Sequence, residues 1–172
     1  MTFPKICVVD TNVPVNANKA FVDNPDVSRE LLDACVDAIV HVMENNALII
    51  DSTGEIFEEY MDNLDLSGQP GVGDKFVKWV HYNQWTLPED NRVAISPVGE
   101  SYREFPKHDG LSHFDRSDRK FVAVANAHPE KPSILQASDS KWVGWEAALK
   151  EVGIDVFFLD RKYVEETYKK KM

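Results

Sequence analysis

Short apolar runs rich in β-branched residues alternate along this chain with segments of helical period, and this alternation restricts the fold more than any other feature. The predicted strands are 6–9, 47–50, 93–95, 134–137 and 156–159. Strands that alternate with helices usually form a mostly parallel sheet covered by helical layers. The sequence therefore predicts an α/β fold, a three-layer α/β/α sandwich with a mostly parallel central sheet.

Helices are predicted where apolar residues recur at three- and four-residue steps. These segments are 27–43, 52–64, 76–85, 117–128, 142–149 and 160–171. Ser52 and Glu55 form a capping-box pattern, and Ser117 and Asp160 are predicted N-caps. The segment after the first strand, beginning at Asp10, and residues 97–113 are predicted to be loops.

The length and composition favour one domain. The chain has 172 residues, of which 43% are hydrophobic and 28% charged, enough apolar surface to form a core. No repeat or linker divides it, so we expect a single domain, 1–172, with an enlarged helical and loop segment at about 63–113. Cys7 and Cys35 lack metal-ligand spacing and are predicted to be buried thiols.

Charge and hydropathy limit the partners. The N-terminus lacks the stages of a secretory signal, and no stretch approaches about 18 consecutive apolar residues. We therefore expect a cytoplasmic protein without a membrane partner. The net charge of −10 argues against broad, nonspecific capture of nucleic acid. It leaves a nucleic-acid enzyme open, because a bound Mg²⁺ or Mn²⁺ reverses the field of an acidic site.

Acidic residues follow the predicted strands at the edge where parallel sheets form their sites. The strand-end acids are Asp10, Asp51, Asp139 and Asp160, and the helix-borne candidates are Glu55, Glu58, Glu59, Asp115 and Asp118. Each has an ordinary alternative role as a turn residue, a helix cap or a solvated surface charge. Their joint arrangement points to a site for a hard cation, which prefers oxygen ligands.

The order of four short motifs resembles the PIN domain, a family of metal-dependent ribonucleases. The segment 8–13 is similar to the family's opening strand with its Asp-Thr-Asn motif, and 55–60 resembles the helix that supplies the second acid, at Glu59. The segment 114–125 resembles the helix opened by the third acid, at Asp118, and Ser138-Asp139 resembles the pair that ends the fourth strand. The chain departs from compact members in its longer segment 63–113, and it has Ser117 where some relatives carry Asp.

The resemblance implies an endoribonuclease in which four acids hold one or two Mg²⁺ or Mn²⁺ ions. These acids are Asp10, Glu59, Asp118 and Asp139, with Asp115 as an auxiliary ligand. Asn12 and Ser138 are predicted either to orient ligands or to close their turns, and Arg116, Arg119 and Lys120 either to receive the RNA backbone or to carry ordinary surface charge. Similar nucleases act as toxins held by an antitoxin, in RNA processing or in defence, so we expect RNA and leave an antitoxin, another protein partner or a homo-oligomer open.

Two other functions remain open at this point. Asp10 could be the nucleophile of a metal-dependent phosphohydrolase, although the haloacid-dehalogenase-like families place a second Asp where this chain has Asn12. Alternatively, the domain could be a noncatalytic binding module that keeps the fold. The retained acidic set argues against a module, because a scaffold does not require like charges to be neighbours.

Overall fold

The computed structural model describes residues 1–22 and 26–172 and contains seven strands and seven α-helices in these two ranges. The strands are β1 (Cys7–Val9), β2 (Ile50–Asp51), β3 (Arg92–Val93), β4 (Pro97–Val98), β5 (Ser101–Tyr102), β6 (Ser133–Gln136) and β7 (Val156–Phe158). The helices are α1 (Asn12–Lys19), α2 (Arg29–Asn45), α3 (Glu55–Asn63), α4 (Val72–Asn83), α5 (Arg119–Ala127), α6 (Lys141–Glu151) and α7 (Arg161–Lys171).

The sheet is parallel across five strands. β1, β6 and β7 form one ladder in that order, and β2 pairs in parallel with β3. The two pieces are joined at Cys7, whose N–H donates to the Ala47 carbonyl (2.9 Å) and whose carbonyl accepts from the N–H of Ile49 (2.9 Å). β4 and β5 form a separate antiparallel hairpin. The α/β class predicted from the strand and helix alternation is confirmed.

The core lies along the central strand and the helices that cover it. Cys7, Val8 and Val9 of β1 are fully buried, as are Ile134 and Leu135 of β6. α5 packs against β1, β2 and β6, while α1, α2 and α4 pack against one another. Among the described residues no helix combines the length and the apolar run that a membrane crossing requires.

Both cysteines are buried free thiols, as predicted. Burial raises the pKa of Cys7 and of Cys35 to about 12, because the thiolate would lose its hydration. Neither sulfur is therefore ionised near neutral pH, in keeping with a packing role.

Several local predictions are wrong. The segment after β1 is a helix, α1, where a loop was expected, and residues 97–113 contain the β4–β5 hairpin. Ser117 lies inside a short 3-10 turn, and Asp118 is the N-cap residue of α5. Asp160 does cap α7, since its carboxylate accepts from the Tyr163 N–H (3.1 Å).

The capping box predicted at Ser52 and Glu55 is also wrong, because Asp51 performs that task. Its two carboxylate oxygens accept hydrogen bonds from the N–H groups of Glu55 (2.8 Å) and Ile56 (2.9 Å). Gly54 at the N-cap has φ +90° and offers no side chain, so the donors of the first turn depend on Asp51. Asp51 is 2% exposed, and its role in the structure is to cap α3.

We expect Asp51→Ala to lower the free energy of unfolding by about 1–3 kcal/mol, because it leaves two N–H donors at the start of α3 without acceptors. Urea denaturation measures this loss. Ser52→Ala is the matched control and should change stability by less than about 0.5 kcal/mol, since Ser52 is exposed. If Ser52→Ala lowered the free energy of unfolding more than Asp51→Ala does, Ser52 and not Asp51 would be the residue that caps α3.

Candidate metal centre

The parallel pairing of β1 with β6 brings two of the predicted acids together. Val9 is in register with Leu135, and the N–H of Asp10 continues the ladder by donating to the Leu135 carbonyl (3.2 Å). Both strands therefore end at the same edge of the sheet. Asp10 follows β1 directly, and Asp139 lies in the turn that follows β6.

Helices α3 and α5 supply the other two acids. The buried Tyr60 hydroxyl donates to the Val9 carbonyl (2.5 Å), which fixes α3 against the end of β1 and places Glu59 beside Thr11. Asp118 is the N-cap residue of α5, yet its carboxylate makes no capping hydrogen bond. The side chain is therefore available for other contacts.

All four predicted acids line one open pocket of about 430 Å³. This acid pocket is lined by Asp10, Thr11, Asn12, Val15, Glu59, Asn63, Ser117, Asp118, Ser138 and Asp139. The acids come from four segments that are far apart in the chain. The structure thus brings together the four acids that the family resemblance selected, whereas the strand-end acids Asp51 and Asp160 lie at helix starts.

Asp10 is the most buried member, with 4% of its surface exposed. Its Oδ1 accepts from the N–H of Asn12 (3.0 Å), and its Oδ2 accepts from the side-chain amide of Gln136 (3.1 Å). Burial raises the pKa of Asp10 well above its ordinary value, and the charges of Asp118 and Glu59 raise it further. These two hydrogen bonds oppose that rise, because they favour the charged form.

The pKa of Asp118 reflects the negative charges of the neighbouring carboxylates. Burial raises its pKa to about 7, and repulsion from Asp139, Glu59 and Asp115 contributes to the same rise. A carboxyl group that titrates near neutral pH is common at functional sites, since a cation that binds there relieves both desolvation and repulsion.

Asp115 extends the acidic set at one border of the pocket. One carboxylate oxygen from each of Asp115, Asp118 and Asp139 lies within 4.8 Å of the other two. Asp115 is also bound by the Lys141 ammonium at 3.0 Å. It lines a neighbouring depression of about 560 Å³ with Ser112, His113, Phe114, Arg116, Ser117, Arg119 and Lys141.

Glu59 differs from the three aspartates because both of its oxygens have strong partners. The Thr11 hydroxyl donates to Oε2, and the Lys120 ammonium lies 2.6 Å from Oε1. The Lys120 side chain is 13% exposed and also donates to the Ser117 carbonyl (2.6 Å). Lys120, predicted either to contact the RNA backbone or to carry ordinary surface charge, thus pairs with Glu59 from a neighbouring depression that it lines with Glu55, Glu58, Asp62 and Tyr102.

The other predicted RNA contacts are closer to the surface. Arg116 is 69% exposed and pairs with Glu100 at 2.7 Å. Arg119 donates from Nε to the Phe114 carbonyl (3.1 Å), so part of its guanidinium is engaged by backbone. Both residues line the depression next to Asp115.

Asn12 and Ser138 support the pocket by tying its strands together. Asn12 accepts from the Ala137 N–H at 3.0 Å and donates to the side chain of Gln136. The Ser138 hydroxyl accepts from the Asn16 amide (2.9 Å). The first of these contacts ties the segment after β1 to the residue that follows β6.

Sequence reasoning missed Thr11, Gln136 and the pairing of Lys120 with Glu59. Gln136 gave a signal, since it is a polar residue within an apolar strand run and is fully buried. A buried amide requires partners, and the neighbouring strand end supplies them at Asp10 and Asn12. The Lys120–Glu59 pair joins α5 to α3, which are far apart in the sequence, so no rule of residue spacing indicates it.

The residues of the acid pocket fit a hard divalent cation. Carboxylate oxygens are the ligands that Mg²⁺ and Mn²⁺ prefer. Oxygens bound to one Mg²⁺ are at most about 4.2 Å apart, since each lies about 2.1 Å from the ion. The separation within 4.8 Å for Asp115, Asp118 and Asp139 therefore requires only small side-chain movements.

The chain matches no family model, and neither the curated proteins nor the solved structures give a match.

We expect Asp118→Asn to stabilise the metal-free protein at pH 8 by about 1–3 kcal/mol, since one pKa unit corresponds to about 1.4 kcal/mol and residual solvation and coupling reduce the full shift. Because the folded-state pKa is raised, Asp118 favours folding below its ordinary pKa of 3.8, and this contribution is lost as pH rises towards about 7. The gain from the substitution should therefore be small near pH 4 and reach its maximum above pH 7.

Urea denaturation with EDTA, repeated from pH 4 to pH 8, measures this difference. Asp33→Asn is the matched control, since Asp33 is exposed on α2, and it should change stability little at any pH. A destabilising Asp118→Asn at pH 8 would show that the carboxylate is needed for folding instead of for a ligand.

Proposed function

We propose that this protein is a metal-dependent endoribonuclease whose centre is the acid pocket. The observation that supports this most is the convergence of Asp10, Glu59, Asp118 and Asp139 on one pocket at the strand ends. The raised pKa of Asp118 adds support, because burial and the neighbouring carboxylates disfavour its charged form and a bound cation would relieve both effects. A three-layer PIN-like sandwich is part of the same proposal.

In this proposal Asp118 and Asp139 hold the cation, with Asp10 and Asp115 as neighbouring ligands and Glu59 completing the pocket. Mg²⁺ or Mn²⁺, when bound, would lower the pKa of a water molecule and stabilise charge on the phosphate. Gln136 and the Asn12 N–H keep the Asp10 carboxylate in one orientation. Asn12 and Asn16 hold the ends of β1 and β6 at a fixed distance.

The two sides of the acid pocket differ in charge, and this difference favours the approach of an anionic substrate from one side. On the side of Ser117 the neighbouring depression carries Arg116, Arg119 and Lys141. On the side of Glu59 a smaller depression is lined by Glu55, Glu58, Asp62, Tyr102 and Lys120, whose ammonium is paired with Glu59. A polyanion meets less repulsion on the first side, so the RNA backbone should lie across Arg116 and Lys141.

The contacts of Asp10 argue against a phosphohydrolase that uses this residue as its nucleophile. Both carboxylate oxygens accept hydrogen bonds, and only 4% of the residue is exposed. A nucleophilic oxygen must reach the phosphorus atom, and these contacts hold both oxygens in the turn. The ribonuclease is therefore the better proposal of the two.

We expect the purified protein to cleave single-stranded RNA with Mn²⁺ or Mg²⁺ and to lose this activity in EDTA. Asp10→Asn and Asp139→Asn should each lower the rate by about a hundredfold or more, because each removes a carboxylate from the cation site. Gel analysis of labelled RNA and DNA of equal sequence measures the rate and the preference for ribose.

Asp33→Asn is again the control and should retain the full rate. Release of phosphate from small esters without cleavage of RNA would favour the phosphohydrolase. Absence of cleavage in every metal, together with tight binding of RNA or protein by the folded chain, would favour the noncatalytic module.

A further inference from the structure

Lys141 begins α6 at a position where a cation is disfavoured. It is the first residue of the helix, and the first turn contains no acidic residue. The helix dipole opposes positive charge at this end, so a lysine there requires compensation from another element. Asp115 supplies it, since its Oδ2 accepts from the Lys141 ammonium at 3.0 Å, across 26 positions of the chain.

The main chain of Lys141 is fixed, whereas its side chain has room to move. The Lys141 N–H donates to Oδ1 of Asp139 at 3.1 Å, so the side chain starts beside the proposed metal centre. The side chains of Lys141 and Asp115 are 60% and 35% exposed. An ion pair this exposed is weak, so the ammonium can exchange one anionic partner for another at little cost.

Lys141 joins the proposed metal centre to the depression next to it. Asp115, Asp118 and Asp139 offer oxygens within 4.8 Å of one another. Within the described ranges, Lys141 is the one basic residue of that depression whose ion pair is with any of these three carboxylates. The two arginines of the depression pair with Glu100 and with backbone carbonyls. A change of charge at the three carboxylates therefore acts first on Lys141.

A divalent cation on these carboxylates would change the balance at Asp115. It would compete with the ammonium for the charge of Asp115, and the two positive charges would repel each other. The Lys141 ammonium would then lose much of its compensation, although the depression that it lines is open to an anion. A phosphate group would restore the compensation, because lysine binds phosphate as a point charge.

We propose that Lys141 pairs with Asp115 in the metal-free protein and pairs with a phosphate group of the RNA when a divalent cation binds Asp115, Asp118 and Asp139. This inference rests on the proposed ribonuclease function and assigns Lys141 as the residue that couples the cation to the substrate. Binding of the cation and binding of the RNA should therefore strengthen each other, since coupling between two sites is reciprocal.

The affinity for Mn²⁺, measured by calorimetric titration without RNA, tests the competition at Asp115. We expect Lys141→Met to bind Mn²⁺ about threefold to tenfold more tightly than the wild type, because a positive charge next to the ion is removed. Lys141→Arg keeps the charge and should stay within about twofold of the wild type. Lys150→Met is the matched control, since Lys150 is exposed near the other end of α6, and it should change the affinity little.

Fluorescence anisotropy of a labelled single-stranded RNA tests the transfer to phosphate. It is measured in EDTA and in Ca²⁺, which takes the same oxygen ligands, on RNA that gel analysis shows to be intact. Lys141→Met should lower the RNA affinity in both conditions, and the loss in Ca²⁺ should exceed the loss in EDTA by about threefold or more. Asp115→Asn frees the ammonium without a cation, so it should bind RNA more tightly than the wild type in EDTA and respond less to Ca²⁺.

Unchanged or weaker Mn²⁺ binding by a folded Lys141→Met variant, or an equal loss of RNA affinity in EDTA and in Ca²⁺, would overturn the inference and leave the metal centre intact. An Asp115→Asn variant that responds to Ca²⁺ as strongly as the wild type would also overturn it, independently of how the lysine variants fold. A wild-type protein that binds no Mn²⁺ would overturn both the inference and the proposed function.

Discussion

Repulsion among carboxylates gathered at one sheet edge is the constraint on which the rest of this structure depends. The parallel register of β1 and β6 forces Asp10 and the turn with Asp139 to the same edge, and α5 adds Asp118. Burial and mutual repulsion raise the pKa values of Asp10 and Asp118, so the folded state is penalised for each negative charge at neutral pH. A chain that keeps this arrangement requires contacts that hold it together.

Those contacts differ from one acid to the next, and the difference gives the pocket its organisation. Asp10 is held by neutral donors, the Asn12 N–H and the Gln136 amide, which orient a charge without cancelling it. Glu59 is paired with a full positive charge on Lys120. Asp118 makes no capping bond and faces Asp139 and Asp115, and the Trp142 side chain offsets only part of the rise in its pKa. A cation would relieve most repulsion there, since that is where the charge is least balanced.

Local patterns in the sequence predicted β1, β6 and β7 well, because buried apolar runs depend on short-range order, whereas the predicted strand 47–50 overlaps β2 only at Ile50. The set of four acids came from the family resemblance, since local patterns alone also selected Asp51 and Asp160. Local patterns missed α1, whose Asn12, Asn16 and Pro14 are poor helix formers; Pro14 is tolerated in the first turn, and packing against α2 and α4 stabilises the helix. They also missed the hairpin that turns at Gly99, where φ is +59°, and that reaches α3 through Tyr102. The Lys120–Glu59 pair and the Asp51 cap depend on tertiary distances that no residue spacing records.

The same acids can form turns and also bind a cation. Asp10 and Asp139 each give one oxygen to a backbone N–H in the turn after a strand, as ordinary turn residues do. Turn formation alone explains one carboxylate at each strand end, and Asn or Ser would serve as well without repulsion. It does not explain why Asp118, which caps nothing, is placed against them with a pKa near 7. A noncatalytic scaffold gains only the helix-dipole interaction from that third charge, which burial and repulsion outweigh, whereas a cation site would use the charge. Asp118 is therefore the residue that best separates the two functions.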